Sequence, residues 1–292
     1  MVEIIFQNKM DAMRFYTHVQ KFYVHEQILL LEDRHIVKIS YPSHIKDFFK
    51  QITEVIHDYV TSVKRDDWLR EILRNHYYYQ DVEEQQQILN ILYSILDGQR
   101  KDLEIFLQET NLDDLIRDAI NHVVQENSSF SFDSFVKFRL RPYLRLLENY
   151  IQVSIDEYKL EQEYQIFIQM LRDFLIGQES KLPLLHLQLD EKITFYNDEL
   201  VEIKRRELTK MIDRKLLVNH PVYIDSATIA PLLSLAPTKV YLYTKNPDAL
   251  LVRTIRTIFE ERVELRSEAT LTEMLNKKVT CHSLDVSRKL LQ

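Results

Sequence analysis

The apolar and polar positions of the first forty residues follow a β-α-β-β pattern. An apolar run opens the chain, and residues 11–24 then show helical spacing. Two further apolar runs flank the polar turn Glu32-Asp33-Arg34, and Val37 and Ile39 alternate with polar neighbours, as expected of a half-buried strand. We therefore predict an N-terminal β-α-β-β element over residues 1–42.

Apolar residues at positions i, i+3, i+4 and i+7 dominate the middle of the chain, which predicts amphipathic helices. The longest early stripe runs from Ile45 to Val63, with Ser43 as its expected N-cap. Further helices are predicted at 68–77, at 82–97 behind Asp81, and at 112–125 behind Asn111. Residues 43–180 are therefore predicted to form a helical bundle.

Residues 132–147, FDSFVKFRLRPYLRLL, are compatible with a strand over six positions but with a helix over their whole length. At about 100° per residue the apolar side chains share one sector, and the pattern continues to Leu175. We predict a helix here. Pro142 lies within it, so we expect a kink or a local break, including a helix that starts only at Pro142.

The helical phase separates the cations of this stretch. Lys137, Arg141 and Arg145 are predicted to form a solvated face. Arg139 instead projects into the apolar sector, so we expect a buried ion pair with a carboxylate, or alternatively a contact with a ligand or a partner's phosphate. Glu157 and Glu161 lie together at helical spacing and are the candidate partners.

The pattern changes near Leu182-Pro183, where short strand-like runs begin. Residues 239–267 give strand, helix and strand, with Asn246-Pro247 as the helix start, which implies a β-α-β unit with parallel strands. We predict a C-terminal α/β domain over 181–292. The predicted fold class is therefore α+β and predominantly helical.

The chain has only two glycines, Gly98 and Gly177. Glycine lets backbone approach phosphates closely and turn sharply, so phosphate-binding loops and nucleophile elbows are excluded. We predict no cofactor and no catalytic residues of a known type. We therefore expect a non-enzymatic protein and keep an enzyme of unrecognised type as the alternative.

Metal sites and disulfides are also not predicted. Glu54 and His57 match an E-x-x-H motif, but its second copy, Glu32 to His35, falls in a hairpin. Cys281 is the single cysteine, so no internal disulfide can form, which fits a reducing cytosol. The chain shows no apolar run of membrane-spanning length and no signal-peptide pattern at its first residues. We predict a cytoplasmic protein with no membrane partner.

Charge is unevenly distributed. Residues 181–292 carry a net charge of +3, whereas the rest of the chain carries −10. A candidate basic surface in the C-terminal domain comprises Lys204, Arg205, Arg206, Lys210 and Arg214. It is the best electrostatic candidate for a nucleic-acid surface, although intervening acidic residues also suit an ordinary solvated face.

Three stretches carry a family resemblance: SFDSFVKFRLRPYLRLLENYIQ, SIDEYKLEQEYQIFIQMLRDFLIGQE and SATIAPLLSLAPTKVYLYTKNPDAL. With the opening VEIIFQNKMDA, they resemble the YtxC-like sporulation proteins of endospore-forming Firmicutes. Pro142 departs from the helix-compatible residue expected of the family at that position. The resemblance implies a cytosolic, sporulation-associated protein and supplies no catalytic residues.

These observations support three hypotheses of function. The leading one is a non-enzymatic interaction or regulatory protein whose partner is another protein. The second is a nucleic-acid-binding protein that uses the basic C-terminal helix, and the third is an enzyme of unrecognised type.

Overall fold

A computed structural model describes residues 1–22, 27–40, 48–107, 110–126, 129–190, 192–213, 225 and 227–289. For residues 125–126 and 279–289 it describes the backbone alone. The expected N-cap Ser43 and the candidate basic residue Arg214 lie outside the described residues. The chain divides into two compact units, Met1–Glu161 and Gln162–Gln292.

The first unit contains a small mixed sheet and a set of helices. Its strands are β1 (Val2–Ile5), β2 (Ile28–Leu31), β3 (Ile36–Ile39) and β4 (Ser129–Ser131). Its helices are α1 (Lys9–Val19), α2 (Phe48–Tyr59), α3 (Arg65–Asn75), α4 (Val82–Leu96), α5 (Lys101–Glu104), α6 (Leu112–Glu126), α7 (Phe132–Phe138) and the start of α8 (Arg141–Ile176). A π-helical turn, Val60–Lys64, joins α2 to α3.

The sheet of the first unit has the order β2-β3-β1-β4. Strands β1 and β3 are antiparallel, with Val2 opposite Ile39, and β4 pairs in parallel with β1. Residues 32–34 form a 3-10 turn between β2 and β3, and His35 closes it in the left-handed conformation, at φ 53°. The predicted β-α-β-β element is therefore present, and β4 adds an edge strand that the sequence pattern did not predict.

Side-chain caps and a buried apolar face explain why the helices form where they do. Asn8 Oδ1 accepts a hydrogen bond from the Asp11 amide at 2.8 Å, and Asp81 Oδ1 accepts from the Glu83 and Glu84 amides. The apolar stripes of α2, α4, α6, α7 and α8 pack with the sheet into one hydrophobic core. Tyr59 and Tyr143 are its largest fully buried side chains in this unit.

The stretch around Pro142 is two helices, because α7 ends at Phe138 and α8 begins at Arg141. Proline has no amide hydrogen to donate to the Phe138 carbonyl, and its ring would crowd that oxygen, so a continuous helix is disfavoured. In the first turn of α8 the missing donor costs nothing, since amides there have no intrahelical partner. The break is therefore the expected alternative in which the helix starts near Pro142.

The second unit has a four-stranded sheet with the order β6-β5-β7-β8. Its elements are β5 (Leu184–Leu189), β6 (Ile193–Tyr196), α9 (Arg205–Met211), α10 (Ile229–Leu235), β7 (Lys239–Tyr243), α11 (Leu250–Phe259), β8 (Val263–Arg266) and α12 (Glu268–Lys289). Strands β5, β7 and β8 are parallel, and β6 is antiparallel to β5. The unit β7-α11-β8 is the β-α-β unit that the sequence pattern indicates.

Helix α8 contributes to the cores of both units. Tyr158 is its last residue in the first core, and Ile168, Leu171 and Leu175 belong to the second. Residues 159–166 between them are all exposed. The domain division expected from the sequence, with boundaries after residues 42 and 180, stays a prediction.

The fold class is confirmed, because the chain is predominantly helical with two small mixed sheets. In the described part of the chain, no helix is both long and apolar enough to cross a membrane.

Candidate functional site

Arg139 does not occupy the buried position expected from the sequence. It is exposed, directly after the last residue of α7. The expectation assumed one continuous helix, and the break before Pro142 changes the helical phase at this residue. Leu140 is fully buried instead, and its amide bonds to the Phe135 carbonyl at 3.1 Å. The prediction of a buried Arg139 is therefore wrong.

Glu157 and Glu161 contact a different arginine, Arg100, from the segment between α4 and α5. Arg100 Nη2 lies 2.5 Å from Glu157 Oε1 and 3.0 Å from Asp102 Oδ2, and Arg100 Nη1 lies 3.9 Å from Glu161 Oε1. The hydrogen bonds that Arg100 donates to Asp102 and Glu157 raise the pKa of Arg100, and Arg100 lowers the pKa of Asp102. This network links the α4–α5 segment to α8 and provides an ordinary structural role for both glutamates.

A cleft of about 700 Å³ opens where α6, α7 and α8 meet in the first unit. We call it the arginine cleft. It is lined by Thr110, Leu115, Phe138, Arg141, Pro142, Arg145, Leu146, Glu148 and Asn149. Its volume lies within the range of about 300–1,000 Å³ that is typical of ligand sites. The lining combines apolar groups with two arginines and one carboxylate, that of Glu148, so its net charge is positive and it suits a ligand that is partly apolar and partly anionic.

Arg141 and Arg145 are both exposed, and within the described residues neither side chain has a hydrogen bond or an ion pair. The guanidinium groups of five other arginines in the same unit do have partners: Arg14, Arg65, Arg70, Arg100 and Arg117. Phe138, at the edge of the cleft, is 68% exposed. The cleft therefore presents two arginines and an aromatic ring to solvent.

A part-buried contact and an exposed contact link α8 to α3 and to the residue that follows α3. Tyr143 lies on the buried side of α8, and its hydroxyl accepts a hydrogen bond from Arg65 Nε at 2.9 Å. Burial raises the pKa of Tyr143, although Arg65 opposes that shift. At the far end, Glu148 Oε1 lies 3.3 Å from His76 Nδ1. The arginines thus project from a helix whose opposite face is fixed.

The candidate basic surface lies on and next to α9 in the second unit. Lys204, Arg205, Arg206 and Lys210 are all exposed, whereas Leu208 packs into the second core. The Lys204 amide donates to Glu207 Oε2 at 3.1 Å, which fixes the helix start. None of the four cationic side chains forms an ion pair with another residue in the range 192–213. The structure therefore brings four of the five predicted basic residues onto one short segment.

Glu54 and His57 have separate partners, which gives each a structural role. Glu54 pairs with Arg117, which lowers the pKa of Glu54, and His57 Nε2 lies 3.3 Å from Asp113 Oδ1. Both contacts join α2 to α6. Across the described residues, no group of three His, Cys, Asp or Glu side chains is placed to hold a metal ion.

The helical periodicity did not predict the arginine cleft, because it indicates only an ordinary solvated face for Arg141 and Arg145. One signal was available: Asp133 and Glu148 enclose a fourteen-residue stretch with four cations and no acid. A carboxylate three or four residues from an arginine on a helix forms a stabilising ion pair with it. Arg141 has none, and the carboxylate of Glu148, three residues after Arg145, contacts His76.

The fold and the cleft define a class: an α+β protein, mostly helical, whose candidate site is an arginine-lined surface cleft. A sequence model of the YtxC-like family matches residues 50–264, which covers most of the chain and includes the whole cleft. The chain belongs to the YtxC-like family.

One relative is the uncharacterized protein YtxC of Bacillus subtilis (strain 168). It is 34% identical over 265 residues, which cover 91% of this chain and 94% of the relative. No solved structure matches the chain. The similarity thus extends over both compact units.

Proposed function

We propose that this chain is a cytosolic, sporulation-associated, non-enzymatic interaction protein, and that another protein docks in the arginine cleft. The observation that carries the docking proposal is the pair Arg141 and Arg145, exposed in a cleft and without a counter-ion among the described residues. The association with sporulation rests on the family resemblance alone.

Protein docking fits the composition of the cleft better than binding of a small polar metabolite. Arginine and aromatic residues are enriched at the centres of protein interfaces, where a few side chains carry most of the binding energy. Arg141, Arg145 and Phe138 are residues of these types, and Leu115 and Leu146 add apolar surface beside them. A partner can thus gain both charge pairing and apolar burial at one place.

Site-specific photo-cross-linking tests this proposal. A benzophenone amino acid replaces Asn149, which lines the cleft, in the full-length protein produced in its native host. The matched control carries the same group at Lys159, which is exposed on the same helix and does not line the cleft. We expect a discrete protein adduct from position 149 that is absent from position 159.

Equal adducts at both positions, or none at position 149, would contradict docking in the cleft. Comparison of growing and sporulating cells in the same experiment tests the developmental part of the proposal. An adduct that forms equally in both would remove the association with sporulation while leaving the docking site intact.

Nucleic-acid binding through the candidate basic surface is a second candidate function. It is favoured by four exposed cations, Lys204, Arg205, Arg206 and Lys210, none of which has an ion pair over residues 192–213. Lysine and arginine contacts to phosphates release counter-ions, so affinity falls steeply with salt. The overall net charge of −7 opposes this function at long range.

Fluorescence anisotropy with labelled single-stranded and duplex oligonucleotides tests the second candidate. We expect salt-sensitive binding that is weakened when Lys204, Arg205 and Arg206 are changed to glutamate. Reversal of the exposed cations Lys9 and Lys101, in the other unit, is the control. Binding that is absent in the wild type, or equal in the two variants, rules this surface out.

The enzyme hypothesis requires acidic or basic groups that converge in a pocket. Arg141 and Glu148 both line the arginine cleft, so it is the place to look for such an activity. Loss of a measured activity in a Glu148→Gln variant that keeps its partner adduct would show an enzymatic activity in addition to docking.

A further inference from the structure

We infer that the segment that docks in the arginine cleft is a short acidic stretch of a protein chain that carries at least one large apolar side chain. This inference rests on the proposed function and specifies the chemistry of the partner. It follows from the charge around the cleft, its apolar lining and the arrangement of its two arginines.

The charge of the cleft is opposite to that of the unit that contains it. Residues 1–161 hold 19 lysines and arginines against 27 aspartates and glutamates, a net charge of −8. Lys137, Arg139, Arg141 and Arg145 nevertheless lie within nine consecutive residues without an acidic neighbour in sequence. A cationic patch on an acidic unit attracts an anionic group locally, whereas the unit as a whole repels an extended polyanion. A short acidic segment therefore fits better than a nucleic acid.

The two arginines favour carboxylates spaced along an extended or helical segment. Arg141 and Arg145 are one helical turn apart, so their guanidinium groups lie on the same face of α8. Each guanidinium can donate two parallel hydrogen bonds to one carboxylate. Because both side chains are exposed, their charge pairs are screened by salt and give modest affinity on their own.

Apolar contacts must therefore provide much of the binding energy. Phe138, Leu115, Pro142 and Leu146 all line the cleft beside the arginines. Phe138 is largely exposed, and covering an aromatic ring is among the most favourable contacts at an interface. An acidic segment without an apolar side chain would leave this part of the cleft unfilled.

A displayed library of random twelve-residue peptides, panned against the full-length protein, tests the inference. We expect enrichment of peptides that combine Asp or Glu with an aromatic or a large aliphatic residue. The best peptide is then synthesised, and its affinity is measured by anisotropy for the wild type and for Arg141→Glu, Arg145→Glu and Phe138→Ala. Each arginine variant should weaken binding about fivefold or more, because charge reversal removes an exposed ion pair and puts a repulsion in its place.

The control variant is Lys159→Glu, which makes the same charge change on an exposed position of the same helix. Its affinity for the peptide should equal that of the wild type, and increasing salt should weaken both equally. Selection of neutral or basic peptides would overturn the inference, as would equal affinity in Arg141→Glu and wild type. If a protein adduct still forms from position 149 in that case, docking in the cleft stands and only the acidic chemistry of the partner is wrong.

Discussion

Arg141 and Arg145 illustrate a cost in stability at the scale of single residues. Like charges four residues apart on a helix destabilise it by about 0.2–0.5 kcal/mol. Arg141 is also the first residue of α8, where a cation opposes the helix dipole. A sequence selected for stability alone would place an acid here. An arginine at this position therefore fits a binding role better than a stabilising one.

Changing Arg141 to glutamate should raise the stability of the protein. The new carboxylate would lie at the helix N-terminus and could pair with Arg145, so we expect a gain of about 0.5–1 kcal/mol. Urea denaturation followed by circular dichroism measures it, and Lys159→Glu is the control. A clear loss of stability would mean that Arg141 has a structural partner and that its binding role is unsupported.

Tyr78 is a second residue whose conformation is costly. It is 79% exposed and has a φ of 62°, which a bulky side chain rarely adopts. The left-handed conformation costs about 1–2 kcal/mol for an L-residue, and glycine avoids that cost. Because the chain has few glycines, residues of other types adopt a positive φ, namely His35, Tyr78, Leu200, Ala236 and Glu260.

Tyr78→Gly should stabilise the protein by about 0.5–1 kcal/mol, because relief of strain exceeds the added entropy of the unfolded chain. The matched control is Gln87→Gly, at an exposed position within α4, which should destabilise by a similar amount. The melting temperatures of the two variants, compared with that of the wild type, test both expectations. If Tyr78→Gly destabilised the protein as Gln87→Gly does, the exposed ring would be making contacts that outweigh its strain.

His18 links stability to pH. It is buried in the first unit, with Nε2 3.3 Å from Asp58 Oδ2. Burial lowers the pKa of His18 below its usual 6.5, and Lys21 adds to the shift, while Asp58 opposes it. The folded state thus prefers the neutral ring, so its stabilising contribution is present above pH 6.5 and is lost as the pH falls below it.

His18→Gln should reduce the loss of stability between pH 7.5 and pH 5.5. The residual loss should come mainly from His186, whose pKa burial also lowers. Urea midpoints at the two pH values for wild type and variant provide the measurement. An undiminished pH dependence in the variant would show that His18 does not titrate with folding.

At the scale of elements, periodicity predicted most helices and failed where one residue altered the phase. The stripes of α2, α4 and α6 were found because their buried faces are long and regular. Strand β4 was missed, since three residues carry too little pattern to detect. Arg139 was misplaced because a continuous helical phase does not hold across the break between Phe138 and Arg141.

Contacts between distant segments were beyond the reach of the pattern. Helical spacing predicted that Glu157 and Glu161 lie together. It could not identify Arg100 as their partner, because Arg100 is 57 or more positions away in sequence. The cleft likewise depends on how α6 packs against α7 and α8. Periodicity reports which face of a helix is buried and not which neighbour covers it.

The Arg100–Glu157 pair should stabilise the docking of the α4–α5 segment on α8. Arg100→Met alone leaves Glu157, whose side chain is only 19% exposed, without its closest partner, so we expect a loss of about 1–2 kcal/mol. Adding Glu157→Gln to the Arg100→Met variant should restore part of the lost stability. Denaturation of wild type, both single variants and the double variant gives the coupling energy, and a value near zero would show that the pair is not stabilising.

At the scale of the whole molecule, the chain forms two compact units joined within one helix. Residues 159–166 of α8 are all exposed, although Glu161 Oε1 lies 3.9 Å from Arg100 Nη1 and the Tyr164 hydroxyl lies 3.4 Å from Thr254 Oγ1. Exposed helical residues that belong to no core open more readily than those in a core. This segment is therefore the expected point of cleavage.

Limited proteolysis with a glutamate-specific protease should cut first at Glu161 or Glu163 and release two resistant fragments. Mass spectrometry of the early products identifies the site. First cleavage at Glu179 would favour the boundary expected from the sequence, near residue 181. A Glu161→Gln, Glu163→Gln variant should be cut more slowly if the exposed segment is the accessible site.

If a protein docks in the arginine cleft through Arg141, its cross-linking depends on that side chain. The most direct test is the yield of the photo-cross-linked adduct from position 149 in the wild-type background and in Arg141→Glu, at equal protein concentration. Because Arg141→Glu is expected to be at least as stable as wild type, unfolding cannot explain a loss. We expect the yield of the adduct to fall about fivefold or more, because the glutamate repels an acidic partner segment. An adduct of undiminished yield in Arg141→Glu would contradict docking through Arg141.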